Sequence, residues 1–240
     1  MTKGRLTGLL RMMAKAAADC VFPRTCGVCG CSLVDGEQLM CLGCLSELPR
    51  TDLHRVEFNT VHQRVAGTVE IDVASGWYYY YSDSPYARLI REAKYDDMPL
   101  TARRLGEAYG AELAAEGMAG RFDLFLPVPL HRDKLLMRGY NQSEEIARGL
   151  SRKLGGDVGD NLVALRRHRT QTRRGGYERY ANVSGSFGVV RPEELRGLRV
   201  AVVDDVVTTG STIHECISAI GASADVASIS ILTIGVTKMK

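Results

Sequence analysis

The sequence has no apolar run long enough to cross a bilayer, which takes about twenty residues. It has no internal repeat and no low-complexity tract, which argues against repeat arrays and disordered spacers. It has no strong charge imbalance. Its 31 Lys+Arg oppose 28 Asp+Glu, and a net charge of +3 is too small to imply a nucleic-acid partner by itself. The N-terminus has no unbroken apolar stretch either. Arg11 and Lys15 interrupt it behind Lys3 and Arg5, which argues against a signal peptide. Leu6, Leu9, Leu10 and Met13 instead share one face of a helix. Such a helix packs on the protein or, as the alternative, touches a membrane surface as a basic amphipathic segment. With no secretion signal in view, a cytoplasmic location is expected. The rest is an ordinary globular composition: 240 residues, 45% hydrophobic and 25% charged, enough for one domain and a small module.

Cysteine is present in an odd number, seven, and six of the seven lie within residues 20–44. Clustered cysteines in an intracellular chain more often bind metal than form disulfides. Cys26-x-x-Cys29 and Cys41-x-x-Cys44 form two pairs separated by eleven residues, with Gly27, Gly30 and Gly43 available for tight knuckles. Four thiolates at this spacing match a closed, structural Zn²⁺ site held by Cys26, Cys29, Cys41 and Cys44. Cys31 and Cys20 are close enough in the chain to replace a ligand. A segment this short cannot build its own core, so the metal has a structural role. Residues 1–50 are expected to form the helix and ribbon, and residues 51–240 the main domain.

The most informative stretch is VAVVDDVVTTGST at residues 200–212. Four small apolar residues read as a buried parallel strand. Asp204 and Asp205 follow at its C-terminal edge, where ligands bind in open α/β sheets. Thr208, Thr209, Gly210, Ser211 and Thr212 then supply hydroxyls, backbone N–H groups and a flexible turn ahead of a helical pattern. That combination cradles a phosphate dianion. With two carboxylates beside it for sugar hydroxyls or Mg²⁺, it suits a phosphorylated sugar. The segment resembles the fingerprint of type I phosphoribosyltransferases, which bind 5-phosphoribosyl-1-pyrophosphate. The resemblance implies that 208–212 hold the 5′-phosphate and that Asp204 and Asp205, as the catalytic acidic pair, contact the ribose.

Further strands are expected at 64–69, 73–81, 122–127, 162–165, 199–203 and 225–234, and helices at 84–94, 100–116, 141–154 and 211–220. Asn141 is the expected cap of the third helix, and Gly155-Gly156 its stop. Alternating strands and helices imply an α/β, doubly wound, mostly parallel sheet. Residues 127–145, PVPLHRDKLLMRGYNQSEE, leave a strand and enter a helix. His131, Arg132, Lys134 and Arg138 put four potential cations opposite the phosphate cradle. Val128, Arg132, Lys134 and Arg138 are the candidate contacts for a pyrophosphate leaving group, with a solvated basic loop as the alternative. Residues 166–179 carry six Arg around Gly175-Gly176. The resemblance to type I phosphoribosyltransferases implies a loop here that closes over the site, with Arg173, Arg174 and Arg179 as its candidates; an exposed basic loop and a contact for nucleic-acid phosphates are the alternatives.

The RGYNQSEEIA run, the cysteine ribbon ahead of it and VVDDVVTTGST after it resemble the ComF family of phosphoribosyltransferase-like proteins. LIREAKYDDMP and QTRRGGYERYANVSGSF extend the likeness. They put Lys94, Arg138, Gly139, Asn141, Gln142, Gln171, Arg179 and Asn182 on the family's motif positions. The resemblance implies a type I phosphoribosyltransferase-like fold with a small N-terminal zinc ribbon, Mg²⁺ bound with the sugar pyrophosphate, and a link to natural competence. An enzyme transferring phosphoribosyl to an acceptor is the first reading. The alternative is a non-catalytic sugar-phosphate-binding protein that handles single-stranded DNA or a partner in the competence machinery. Purine-salvage relatives usually carry an Asp where this chain has Thr208, which weakens a purine acceptor.

Overall fold

The structure is a computed structural model that describes residues 24–65, 67, 69–95, 98–165 and 185–238. Its helices are α1 Leu42–Ser46, α2 Thr60–Val65, α3 Ala87–Tyr95, α4 Pro99–Ala115, α5 Arg132–Arg138, α6 Gln142–Leu154 and α7 Ser211–Ser223. Its strands are β1 Ala74–Tyr79, β2 Leu124–Pro127, β3 Asp157–Val158, β4 Leu162–Ala164, β5 Phe187–Val189, β6 Arg199–Val207 and β7 Ser228–Val236. Five of them form one sheet in the order β1-β7-β6-β2-β3, with every neighbouring pair parallel.

Parallel strands buried on both faces need apolar residues at consecutive positions, and β6 and β7 supply them. Period-2 alternation then divides them between two cores. Ala201, Val203, Leu232 and Ile234 face one core, shared with Ile90, Leu105, Tyr109 and Leu150 of α3, α4 and α6. Val200, Val202, Ile229 and Ile231 face the other, shared with Val61, Val65, Ile213 and Ile217 of α2 and α7. Helices on both faces of a parallel sheet give the expected α/β, phosphoribosyltransferase-like class, and the cysteine-rich segment packs into the first core through Cys26, Met40, Cys44 and Leu48.

The strand order also locates a cleft. From β2 the chain passes through α6 to β3 on one side, and from β6 through α7 to β7 on the other. Neighbouring β2 and β6 therefore send their connections in opposite directions. A crevice opens beyond their C-terminal ends, where open α/β sheets bind ligands.

Three local expectations are corrected. Arg64 and Val65 end a helix, α2, rather than begin a strand. Buried Asn59 turns the chain there: its Oδ1 accepts the Val61 N–H at 2.9 Å, and Val61 and Val65, four apart, bury one face beside α7. Residues 132–138 are helix α5 rather than a loop; His131 Nδ1 accepts the Asp133 N–H at 3.5 Å, and Gly139 ends the helix at φ +75°. β4 stands outside the main sheet in an antiparallel pair with β5, and the fifth sheet strand is the short β3.

Candidate functional site

The crevice holds a cavity of about 410 Å³. Val128, Pro129, Leu130 and His131 line it from the segment after β2, and Asp204, Asp205 and Val206 from β6. Lys94, Lys134, Arg138, Gln142 and Thr212 come from helices, while Ala164, Leu165, Ser186 and Phe187 form a wall from the β4–β5 region. A smaller hollow of about 30 Å³ adjoins it, framed by Asp204, Val206 and residues 207–213. The acidic pair and the Thr/Gly/Ser loop are thus neighbours in space as in sequence.

The two carboxylates are held differently. Asp205 is buried, and its Oδ2 lies 2.8 Å from Lys94 Nζ and accepts Gln142 Nε2 at 3.2 Å. Asp204 Oδ1 accepts the Ser143 hydroxyl at 3.1 Å and the Asp205 N–H at 2.9 Å. Burial first, and then the charge of Asp205, push the Asp204 carboxyl up to about 7. A carboxylate pair in which one member is readily protonated suits hydroxyl ligands, because it both accepts and donates hydrogen bonds.

The RGYNQS run supplies the frame of this site. Arg138 Nη1 donates to Gln142 Oε1 at 2.8 Å, so Arg138, Gln142, Asp205 and Lys94 form one chain of contacts. Asn141 caps α6 by accepting the Ser143 N–H at 3.1 Å, while its Nδ2 donates to Val128 O at 3.0 Å. That bond fixes the turn after β2. Tyr140 Oη donates to Ala93 O at 2.7 Å, tying down the end of α3 that carries Lys94. Tyr140 and Ser143 had no assigned role in the sequence, although both lie inside the motif.

Residues 208–212 form an exposed turn with Gly210 buried in its middle at φ +85°. Thr209 Oγ1 and Ser211 Oγ are 3.0 Å apart, and α7 begins with no side-chain cap. First-turn N–H groups have no partners within the helix, and that of Ser211 lies 3.4 Å from Thr209 Oγ1. Of the basic residues expected opposite, Lys134 and Arg138 line the cavity with His131 and Val128. Arg132 is exposed and is not among the lining residues. Arg173, Arg174, Arg179, Gln171, Asn182 and Cys20 lie outside the described residues.

A second constellation lies in the cysteine-rich segment. The sulfurs of Cys26, Cys29, Cys31 and Cys41 all fall within 4.8 Å of one another. Cys29 Sγ lies 3.8 Å from Cys41 Sγ and 3.3 Å from Cys31 Sγ, against the separation of about 3.8 Å that tetrahedral Zn–S bonds impose. The N–H groups of Val28 and Cys41 both point to Cys26 Sγ at 3.4 Å, bonds that favour a thiolate. Cys44 sits beside this quartet: its N–H donates to Cys41 Sγ at 3.5 Å, and burial pushes its thiol up. The structure thus gathers Cys31, one of the alternative ligands, with Cys26, Cys29 and Cys41, while the Cys44 thiol also contacts Cys26, Cys29 and Cys41. The short Thr25–Ser32 bridge holds Cys26, Cys29 and Cys31 in one hairpin, a contact invisible to a C-x-x-C count. The donor set fits a soft or borderline metal ion.

Over 96 residues the chain is 40% identical to Competence protein F of Haemophilus influenzae, a match taking in 39% of this chain and 42% of that protein. Over 94 residues it is 34% identical to DNA utilization protein YhgH of Salmonella typhi and 35% identical to the protein of that name in Escherichia coli K12. Each of these matches takes in 39% of this chain and 40% of the relative. The chain thus spans about two fifths of the length of the curated relatives it matches. No family model matches it.

Proposed function

We propose that this chain, which over two fifths of its length resembles Competence protein F and the DNA utilization proteins, is a ComF-like protein that binds 5-phosphoribosyl-1-pyrophosphate between β2 and β6 and transfers the phosphoribosyl group to an acceptor. The observation that carries this reading is the junction of the acidic pair with the 208–212 loop at the sheet's switch point. The loop's N–H groups and hydroxyls hold the 5′-phosphate, as helix N-termini do for anions. Asp204 and Asp205 take the ribose hydroxyls, the second by exchanging its contact with Lys94. His131, Lys134 and Arg138 face the pyrophosphate and stabilise it as it leaves. Mg²⁺ bound with the sugar pyrophosphate would reach the protein through the Asp204 and Asp205 carboxylates and would neutralise charge on the leaving group. The cysteine quartet holds a structural Zn²⁺ that takes no part in the chemistry. Thr208 is no general base, so the acceptor brings its own nucleophile. The names of the relatives support a setting in DNA uptake.

The test is calorimetric titration with the sugar pyrophosphate and Mg²⁺, followed by measurement of pyrophosphate release with candidate acceptors. The wild-type chain is expected to bind and to release pyrophosphate, and the double variant Asp204→Asn/Asp205→Asn is expected to lose release by about a hundredfold or more. Tight binding with no turnover of any acceptor would favour a sensor, and no binding at all would overturn the reading.

A further inference from the structure

The phosphate loop contains no cation of its own: residues 208–212 are Thr, Thr, Gly, Ser and Thr. A guanidinium nevertheless lies behind it. Arg64, near the end of α2, donates through Nη1 to Val207 O at 3.1 Å and to Thr237 Oγ1 at 3.4 Å, and through Nη2 to Thr237 O. It thereby clips together the ends of β6 and β7 immediately before the loop departs. The loop also rests on this residue. A Cβ at Gly210 would come within 2.8 Å of Arg64 Cβ and 3.1 Å of Arg64 O, so Gly210 is required by both its positive φ and this close approach.

The charge of Arg64 is not cancelled locally. Among the described residues it makes no ion pair with a carboxylate. Its Nε is buried with no hydrogen-bond partner, and its other donors go to neutral oxygens. Burial lowers its pKa, yet a guanidinium keeps its proton in proteins. A fixed positive charge in a partly buried setting acts over several ångströms with much less screening than one in water. Clipping two strand ends requires hydrogen-bond donors but no net charge, so the charge itself calls for a use.

We propose that Arg64 is a positioning residue for phosphate: it sets the loop on the ends of β6 and β7 and supplies, from behind the backbone, the positive charge that makes the site prefer a dianion. The inference rests on the phosphate-loop reading above and adds a residue to it that touches no ligand.

The experiment titrates the full chain with ribose 5-phosphate and with ribose 5-sulfate, a dianion and a monoanion, by calorimetry at pH 8 and fixed ionic strength. The wild-type chain is expected to prefer the phosphate. Arg64→Met is expected to weaken phosphate binding on the order of tenfold and sulfate binding distinctly less, so that the preference falls. Arg64→Lys, which keeps the charge, is expected to restore it. A folded Arg64→Met that weakens both ligands by one factor would reduce Arg64 to a clip and overturn the inference, as would an unchanged preference. Wild-type chain that binds neither ligand would overturn the phosphate-loop reading and this inference together. Should Arg64→Met not fold, Arg64→Lys decides alone: a retained preference supports the charge, and a lost one overturns it.

Discussion

Asp204 and Asp205 are adjacent and chemically identical, yet their surroundings divide them. Lys94 Nζ lies 2.8 Å from Asp205 Oδ2, while burial and the neighbouring charge raise Asp204 to about 7. A carboxyl raised in the folded state keeps its proton where the unfolded chain has lost it. The folded state therefore binds more protons over that window, and stability falls as pH rises from the ordinary carboxylate range to about 7, then levels off. Asp204→Asn should be more stable than wild type at pH 8, by on the order of 1 kcal/mol, with the advantage fading toward pH 4. Urea denaturation at both pH values reads this directly, and an equal difference at the two would contradict the assignment. At this scale the acidic pair and the 208–212 loop that adjoins it were legible because they are contiguous in the chain. Arg64 was not: it meets Val207 across 143 positions, and nothing in its own neighbourhood marks it.

The site depends on where α6 lies, because α6 carries Gln142 and Ser143. Its distance from α4 is set by two glycines. A Cβ on Gly106 would lie 2.1 Å from Ile146 O, and one on Gly149 would lie 2.2 Å from Arg103 O. Both obstacles are backbone, which cannot swing aside. The ion pairs Arg103–Glu145 at 2.6 Å and Arg152–Glu107 at 2.7 Å flank the contact. Gly106→Ala should cost about 2 kcal/mol or more, as overpacking does, and should widen the gap between Ser143 and Asp204. Chemical denaturation gives the first quantity, and a loss of less than about 0.5 kcal/mol would show that the helices part easily. Most sheet strands and long helices could be read from periodicity. The exceptions, α2, α5 and the β4–β5 pair, are short, and a short apolar run fits strand and helix alike until a cap or a partner decides.

On the scale of the whole molecule, the cysteine-rich segment is bound into the main core. Cys26 and Cys44 are buried in one cluster with Trp77, Tyr86 and Leu89. Tyr86 Oη donates to Cys44 O at 2.8 Å. Arg50 grips Glu112 of α4 through two bonds, at 3.0 and 2.7 Å, while its Nη1 donates to Leu45 O at 2.9 Å. Glu112 in turn accepts Trp77 Nε1 at 2.9 Å. Removing a metal from the quartet should therefore destabilise more than the ribbon. A chelator strong enough to strip Zn²⁺ should lower the melting temperature of the chain by about 5 °C or more. Metal analysis of single variants separates the ligands: Cys31→Ser should lose metal as readily as Cys26→Ser, and Cys44→Ser should retain more of it. Metal lost from Cys44→Ser and kept in Cys31→Ser would restore the ligand set suggested by the two C-x-x-C pairs.

The sequence by itself determined the class of fold, the metal-binding character of the cysteine-rich segment, and the strand–loop–helix carrying Asp204, Asp205 and residues 208–212. These are local properties, encoded in periodicity and in residues a few positions apart. Only the tertiary structure decided which strands are neighbours, and hence that the end of β2 faces the end of β6. It also decided that Lys94 and Gln142 meet on one oxygen of Asp205, that Arg64 stands behind the 208–212 loop, and that Cys31 joins the sulfur quartet. The physical reason is that side-chain pattern shows which face of an element is buried but not which element covers it. Contacts between distant segments follow from the order of strands and the packing of helices, which no single segment records.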